Sequence, residues 1–530
     1  MDDRHNKSII SFFLGGHDSN ISSCSGSDLF TLELERLFGN RYFSFEELKE
    51  EEQRQIFLLI KDIFKQNKVP YSNFDIGLFS WCTSKDIIGL AQEVFGVNKI
   101  YHKDKFTSHH KAHASAAFYS SGFDKALVFS YDGGGNDGCF CVYDVGGADP
   151  NFSQVNEPDW IDFTSKYCYT GNFISEIHKS NTDNLQICTN KMAGKVMGLS
   201  AFGEHNSDYY KQCLEFSKET GAYSYAIKSF FKELRYNGLK DKASYDLAYS
   251  AQKAFEETFL ERFTKFFNPD EHKNVCLTGG GALNVVLNER LSKTYPNTNF
   301  YIPSSPGDSG ISYGMITRYR RSAVCKEVMY RGCSILDSNI IDDVLSYRPW
   351  KQATAKTIAK ELKEGKLIGV CRGQSETGPR ALGNRSILAD PTSHRAKGII
   401  NSKVKFREWF RPFAPICTKE SASEFFDTSD KVSYRYMSFS PNVREKYRKL
   451  LPAITHIDNS SRLQTVSSEQ NSFIYDILKE FEELSGFPVL VNTSFNIKGK
   501  AILTHYQAAL QILDSTELDG VVLGDYYIYK

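Results

Sequence analysis

Short apolar runs, glycine turns and helical stretches alternate along the chain, and the first run sets the grammar. In SIISFFLGGHDSNISSC, Ile9 to Leu14 form an apolar run, Gly15, Gly16, His17 and Asp18 form a turn, and a second extended stretch follows. This pattern predicts two strands joined by a glycine turn. It returns in ALVFSYDGGGNDGCFCVYD, where the run from Ala126 to Tyr131 meets Asp132, Gly133, Gly134 and Gly135 before a strand from Cys139 to Tyr143. A third element, VCLTGGGALNVVLNERL, reads as a buried strand, a turn at Gly279, Gly280 and Gly281, and a helix beginning near Ala282. In SSPGDSGISYGM, Asp308 stands among small residues ahead of another helix. Each hairpin alone is ordinary, but glycines of this kind also let the backbone approach a phosphate. A glycine turn leading into a helix N-terminus adds an anion-friendly corner. Neither a Walker A loop nor a GxGxxG dinucleotide fingerprint is present.

Between the two hairpins lies SHHKAHASAAF, with His109, His110 and His113 crowded together in a chain that has only 12 histidines. A helix here puts His109 and His113 on one face, one turn apart, a spacing that can hold one metal ion. A solvated helix face is the alternative. The segment KMAGKVMGLSAFG contributes Lys195 and Gly198 to the same set of loops.

At 530 residues the chain is long enough for roughly two to four domains. Its 64 basic and 64 acidic side chains balance, which argues against a duplex nucleic-acid binder. The opening is acidic at once, its apolar run is too short for a signal segment, and no stretch approaches a membrane span, so the expected location is cytoplasmic. The 12 cysteines are scattered without a CxxC pair, which implies reduced thiols and no structural zinc. One segment departs from the even balance. From Cys371 to Arg411, nine Lys or Arg minus three Asp or Glu leave a net of +6. Interleaved glycines and apolar residues imply that this island is folded, and its arginines suit phosphate or carboxylate oxygens.

Two strand-turn-strand units with glycine loops have the layout of a duplicated actin-like or sugar-kinase-like ATPase fold. Within it, His109, His113, Asp132 and Asp308 resemble the metal site of the threonylcarbamoyl-transferase and O-carbamoyltransferase superfamily. Two imidazoles and two carboxylates suit a divalent transition metal, Fe2+ first and Mg2+ or Mn2+ as alternatives. His110 is read as a neighbour of this site. Downstream, RGQSETGPRALGNRSILADP, VKFREWFRPFAP and VLVNTSFNIKGKAI resemble the YrdC-like domain of O-carbamoyltransferases that decorate nodulation factors and antibiotics. Thr377 departs from the aromatic residue expected in SETGPRALG, and neither an acylphosphatase-like domain nor a paired-cysteine finger of the hydrogenase-maturation type is seen.

The resemblance implies an α/β protein: an actin-like (ASKHA) domain over residues 1–338, then a YrdC-like α/β domain over 339–530. It places Gly133, Gly134, Lys195, Gly198, Gly279, Gly280, Gly281 and Asn284 at a nucleotide in the first domain. In the second it places Arg380, Lys405, Arg407, Arg411, Asn492, Ser494 and Asn496 at carbamoyl phosphate and ATP, the co-substrate. Carbamate released from carbamoyl phosphate would attack ATP to give carbamoyl-adenylate and pyrophosphate. The carbamoyl group would then pass in the first domain to a hydroxyl of a small-molecule acceptor, with the metal as Lewis acid. His17 is the expected proton-transfer residue, toward the acceptor hydroxyl or the leaving AMP, and Asp18 is expected to orient it or to contact substrate. Acceptor choice is expected between about Asn151 and Ser250, an aromatic-rich region between the shared motifs. Neither membrane nor duplex nucleic acid is an expected partner, and a homodimer is left open. The rival readings are a threonylcarbamoyl-type transferase acting on tRNA, disfavoured by the neutral charge, and a non-catalytic actin-like nucleotide-binding protein.

Overall fold

The computed structural model describes residues 3–146, 152–177, 191–220, 239–325 and 327–530. The aromatic-rich region expected to choose the acceptor therefore falls partly outside the described residues. The first apolar run is β1 (Ile9–Phe13), buried throughout. It pairs antiparallel with β2 (Asn20–Ser25), which pairs with β3 (Asp28–Glu33), and parallel with β4 (Ile76–Phe79), which pairs with β5 (Lys99–His102). The spatial order is β3-β2-β1-β4-β5.

The second hairpin opens a sheet built by the same rule. β6 (Lys125–Gly135) pairs antiparallel with β7 (Gly138–Gly146), which pairs with β8 (Ser153–Gln154). On its other side β6 runs parallel to β9 (Asn274–Thr278), and β9 to β10 (Asn299–Tyr301). Numbered within its own sheet, this is again 3-2-1-4-5. Two copies of one topology are the duplication that the actin-like resemblance implies. The helices His109–Ser121 and Ile311–Arg320 pack together beside the sheets. Gly314 makes their approach possible, since a Cβ there would stand 2.2 Å from the Ala112 carbonyl oxygen.

The remaining strands form one mixed sheet: β11 (Trp350–Gln352), β12 (Ile368–Cys371), β13 (Arg385–Ala389), β14 (Ala414–Thr418), β15 (Gln464–Val466), β16 (Val489–Ser494), β17 (Gly520–Leu523) and β18 (Tyr526–Tyr529). Their order is β11-β18-β17-β12-β13-β16-β14-β15. The helix Ser472–Ser485, capped by Asn471, buries Ile474, Ile477, Leu478 and Phe481, the face of a 3.6-residue period. The protein is thus α/β throughout. Among the described residues, no helix is long and apolar enough to cross a membrane.

The third sheet is joined closely to the first. The Gly332 N–H donates to the Ser375 carbonyl at 3.0 Å, the Ser375 N–H to Cys333 at 2.9 Å, and the Thr377 N–H to Met329 at 2.8 Å. Glu33, at the end of β3, accepts the Gly378 N–H at 2.6 Å and the Arg36 Nε–H at 3.0 Å.

Candidate active centre and anion site

The helix His109–Ser121 begins where backbone and side chains hold it. The His109 N–H donates to Asn136 Oδ1 at 2.9 Å, the His110 N–H to Asp137 Oδ1 at 3.1 Å, and the Ser108 hydroxyl to Asp137 Oδ2. His109 and His113 then stand on one face, their rings 4.7 Å apart. His110 points elsewhere and is fully engaged, with Nδ1 2.7 Å from the Ser130 hydroxyl and Nε2 2.9 Å from the Gly138 carbonyl. It is the neighbour that the sequence reading made it.

Asp132 reaches the same point because β6 breaks its register between Tyr131 and Gly135, and a bulge of this kind re-aims a side chain. Gly133 donates its N–H to Asp132 Oδ1 at 2.7 Å and Gly280 to Oδ2 at 2.6 Å. Asp308 comes from the turn before the helix Ile311–Arg320. His113 Nε2 lies 3.4 Å from Asp132 Oδ2 and 3.3 Å from Asp308 Oδ1, and His109 Nε2 lies 3.6 Å from the same Asp308 oxygen.

One ligand atom from each of these four residues lies within 4.8 Å of the others. His109 Nε2, His113 Nε2 and Asp308 Oδ1 are buried with no hydrogen-bond partner among the described residues. Buried polar atoms are normally satisfied, so three orphans facing one point, from donors typical of a transition-metal ion, fit a bound cation.

His17 borders this cluster, with Nδ1 2.9 Å from Asp18 Oδ2 and 3.8 Å from Asp308 Oδ2. Asp18 has φ +51°, a left-handed conformation that costs a non-glycine residue energy and collects at functional sites. Asn20 ties the two turns together, its amide donating to the Asp18 carbonyl at 2.7 Å and the Asp308 carbonyl at 2.9 Å.

The glycine loops are more committed than their sequence suggests. Gly279, at φ +87°, places its Cα where a Cβ would stand 2.2 Å from the Tyr131 carbonyl oxygen, and its N–H donates to Pro306 at 2.7 Å. With Gly133 and Gly280 holding Asp132, these amides shape the carboxylate cluster. Gly134 is exposed beside them and Gly281 is packed against the Tyr131 ring. Asn284 exchanges hydrogen bonds with Gln252 at 3.0 Å and caps the Leu287 N–H at 3.0 Å. That cap starts the helix at Val285, three residues later than expected, after a 3-10 turn over Gly280–Leu283.

Lys195 and Gly198, expected with these loops, lie against the C-terminal region, Lys195 at the basic island and Gly198 beside it. Lys195 Nζ lies 3.0 Å from Glu408 Oε1, and the Gly198 carbonyl is 3.1 Å from His456 Nε2. The helix Ala193–Ser200 carries both, and a Cβ on Gly198 would meet Pro412 at 3.5 Å.

The island sorts into two kinds of cation. Arg385 is wholly buried and spends its guanidinium on four backbone carbonyls, those of Arg372, Gly373, Asn384 and Cys333. Arg372 pairs with Asp525 at 2.8 Å and Lys403 with Glu517 at 3.7 Å. Arg380, Lys405, Arg407 and Arg411 behave differently, because they crowd one another. Burial and then Arg411 push the Arg380 guanidinium down to about 10. Burial, Arg407 and Arg411 hold the Lys405 ammonium far below its usual range. Arg462, from the loop before β15, joins them, depressed by burial, Arg380, Arg411 and Arg407. Among the described residues, the carboxylate paired with this group is Glu408, 3.7 Å from Arg411 and already paired with Lys195.

Lys405 Nζ donates to the Ser494 carbonyl at 2.6 Å, the Ser494 hydroxyl at 3.1 Å and Asn496 Oδ1. Asn492 is set deeper, bonded to Ala381 at 3.1 Å and Gln464 at 2.6 Å, with its Oδ1 unpartnered. Between Lys405 and Arg407, Phe406 has φ +48° and stands 48% exposed. Among the described residues, five cations thus gather around the one carboxylate of Glu408, a demand for a multiply charged anion.

The models of two carbamoyltransferase regions match this chain, the carbamoyltransferase N-terminus over residues 83–316 and the carbamoyltransferase C-terminus over 359–530. Nodulation protein NolO of Bradyrhizobium diazoefficiens is 31% identical over 448 residues, covering 80% of this chain and 79% of that protein. The chain belongs to the carbamoyltransferase family. Nodulation protein NolNO of Sinorhizobium fredii is 32% identical over 473 residues, and the alignment spans 83% of this chain and 66% of that longer protein. A crystal structure of T. kodakarensis HypF aligns with 60% of this chain and 49% of its own at a TM-score of 0.34 and 14% identity.

In this carbamoyltransferase, the sequence reading missed Asn20, Arg462 and Glu408. Asn20 was visible in GGHDSN, but its link to Asp308 spans 288 residues and has no local signal. Arg462 lies outside the charged island, so a window count cannot find it.

Proposed function

We propose that the chain is an ATP-dependent O-carbamoyltransferase with a small-molecule hydroxyl acceptor. The observation that carries this reading is the cluster of Arg380, Lys405, Arg407, Arg411 and Arg462, where one buried and four half-buried cations stand around the single paired carboxylate of Glu408 among the described residues. Carbamoyl phosphate and ATP are anions of the class it suits. There, water would cleave carbamoyl phosphate to carbamate and phosphate. A carbamate oxygen would then attack the α-phosphorus of ATP, and the bond to the bridging oxygen would break to release pyrophosphate. Lys405, Arg407 and Arg411 offset charge on the transferring and leaving phosphates, and Ser494 and Asn496 orient Lys405.

Transfer belongs to the His17 and Asp308 region. The acceptor oxygen attacks the carbamoyl carbon and AMP leaves, with His17, whose Nδ1 is held by Asp18, transferring a proton at the acceptor hydroxyl or at the leaving AMP phosphate. His109, His113, Asp132 and Asp308 would hold a divalent metal, with Fe2+ the first choice, which supplies Lewis acidity and a template for phosphate oxygens when bound.

The test is conversion of ATP to AMP and pyrophosphate by the purified protein, with and without carbamoyl phosphate. Turnover that requires carbamoyl phosphate supports the reading, as does carbamoylation in an acceptor screen. Turnover of equal rate without it, or none in its presence, overturns the reading.

A further inference from the structure

Arg41 comes from the first sheet's connections, yet three features place it at the cation cleft of the third. Asn40 forms a β-bridge with Lys500, and the Ala501 N–H donates to the Gly39 carbonyl at 3.5 Å. The same Lys500 accepts the Asn496 amide at 2.6 Å, and Asn496 Oδ1 accepts from Lys405. Residues 39–41 therefore lie against the loop that orients Lys405.

The second feature is strain. Tyr42 has φ +60°, an outlier for so bulky a residue. Its N–H is held at 3.1 Å by Glu35 Oε2, and such a conformation persists only where surroundings enforce it. The third is the side chain that this turn presents. Arg41 is exposed, its guanidinium donating to the Tyr42 hydroxyl at 3.0 Å and lying 4.9 Å over that ring. Glu35 and Asp18 attract its charge, yet its guanidinium hydrogen bond goes to a phenol and not to a carboxylate. Its positive charge adds to the burial and neighbouring cations that depress Arg380, Lys405 and Arg411. An ordinary surface arginine stacked on a tyrosine needs neither a left-handed anchor nor a bridge to a loop 460 residues away.

We infer that Arg41 is a phosphate-binding residue donated by the N-terminal half to the polyphosphate site of the C-terminal half. The inference rests on the anion reading of the cleft proposed above. The ligand class is the polyphosphate tail of a nucleoside triphosphate, or the pyrophosphate cut from it. The consequence is a composite site, since five cations come from residues 380–462 and the sixth from residue 41.

Calorimetric titration of inorganic pyrophosphate into the full chain tests this, using the wild type, R41Q, R41E and R407A, each with wild-type circular dichroism and metal content. R41Q should weaken binding by about tenfold to a hundredfold, the range for a charged hydrogen bond. R41E should weaken it further, because a carboxylate would repel the anion. Wild-type affinity in R41Q, or equal affinity in R41Q and R41E, overturns the inference. Loss of binding in R407A alongside either result leaves the anion reading of the cleft standing. Wild-type affinity in R407A removes that reading and this inference with it.

Discussion

Arg36 and Glu376 face each other inside the protein, Arg36 Nη1 3.7 Å from Glu376 Oε2, one just after β3 and the other on the loop that leads to Arg380. Arg36 also donates to Glu33 at 3.0 Å and to the Gly378 carbonyl, while Glu376 Oε1 accepts the N–H groups of Leu382, Asn384 and Arg385 at 2.8, 2.9 and 3.1 Å. Both side chains are almost wholly buried, so neither charge has water to fall back on. Arg36→Met leaves Glu33 and Glu376 as uncompensated carboxylates. It should lower stability by about 3 to 5 kcal/mol, the cost of breaking a buried pair from one side. Urea unfolding checks this, and a loss under about 1 kcal/mol would show the network to be a bystander.

Removing His113 takes one imidazole from the four-residue cluster and leaves Asp132 and Asp308 facing each other. His113→Ala should purify with little metal where the wild type carries about one ion per chain, and carbamoyl transfer should stop. Elemental analysis decides, and near-full occupancy in the variant would remove His113 from the ligand set.

Lesions in the two regions should separate. Asp308→Ala should abolish transfer to the acceptor while carbamoyl-phosphate-dependent pyrophosphate release continues. Arg407→Ala removes a charged contact worth about 1.5 to 3 kcal/mol, so pyrophosphate release should fall by tens of fold. Transfer from supplied carbamoyl-adenylate should survive that change. An Arg407 variant that is folded and metal-loaded yet fails with the supplied adenylate would mean one merged centre.

Gly279→Ala sets a Cβ against the Tyr131 carbonyl in a backbone conformation that alanine resists. The loop must shift, and Gly280 next to it holds Asp132. Metal content should drop together with stability. A variant that keeps both would show that the loop has slack which the geometry does not suggest.

Much of the fold was legible because its signals are local. Apolar runs ending in glycine gave both hairpins and β9, and the four-residue histidine spacing gave the same-face pair. The full set of four metal-ligand candidates came from the family resemblance, with the histidine spacing as its local signal. What the sequence hides is where side chains from distant segments meet. KMAGKVMGLSAFG groups with the glycine loops in sequence, but Lys195 is set by packing of its helix against residues 408–412, a contact no window can show. Asn284, which the resemblance places at a nucleotide, also caps the helix that starts at Val285, a use that its position after three glycines suits. Arg41 and Arg462 are invisible for the same reason: each sits in an unremarkable local charge environment and matters only through where the chain delivers it.

The cation cleft also bears on the protein as a laboratory object. Five like charges held together repel, and any small multivalent anion that enters relieves that repulsion in the folded chain alone, so it acts as a folding partner. At a hundred times its dissociation constant such an anion adds about 2.7 kcal/mol. Phosphate, sulfate or pyrophosphate in a storage buffer would then raise the melting temperature, and Tris with chloride would not. A melting temperature for this chain is therefore a property of the protein and its medium together, and mutants compared in different buffers would be ranked by their salts.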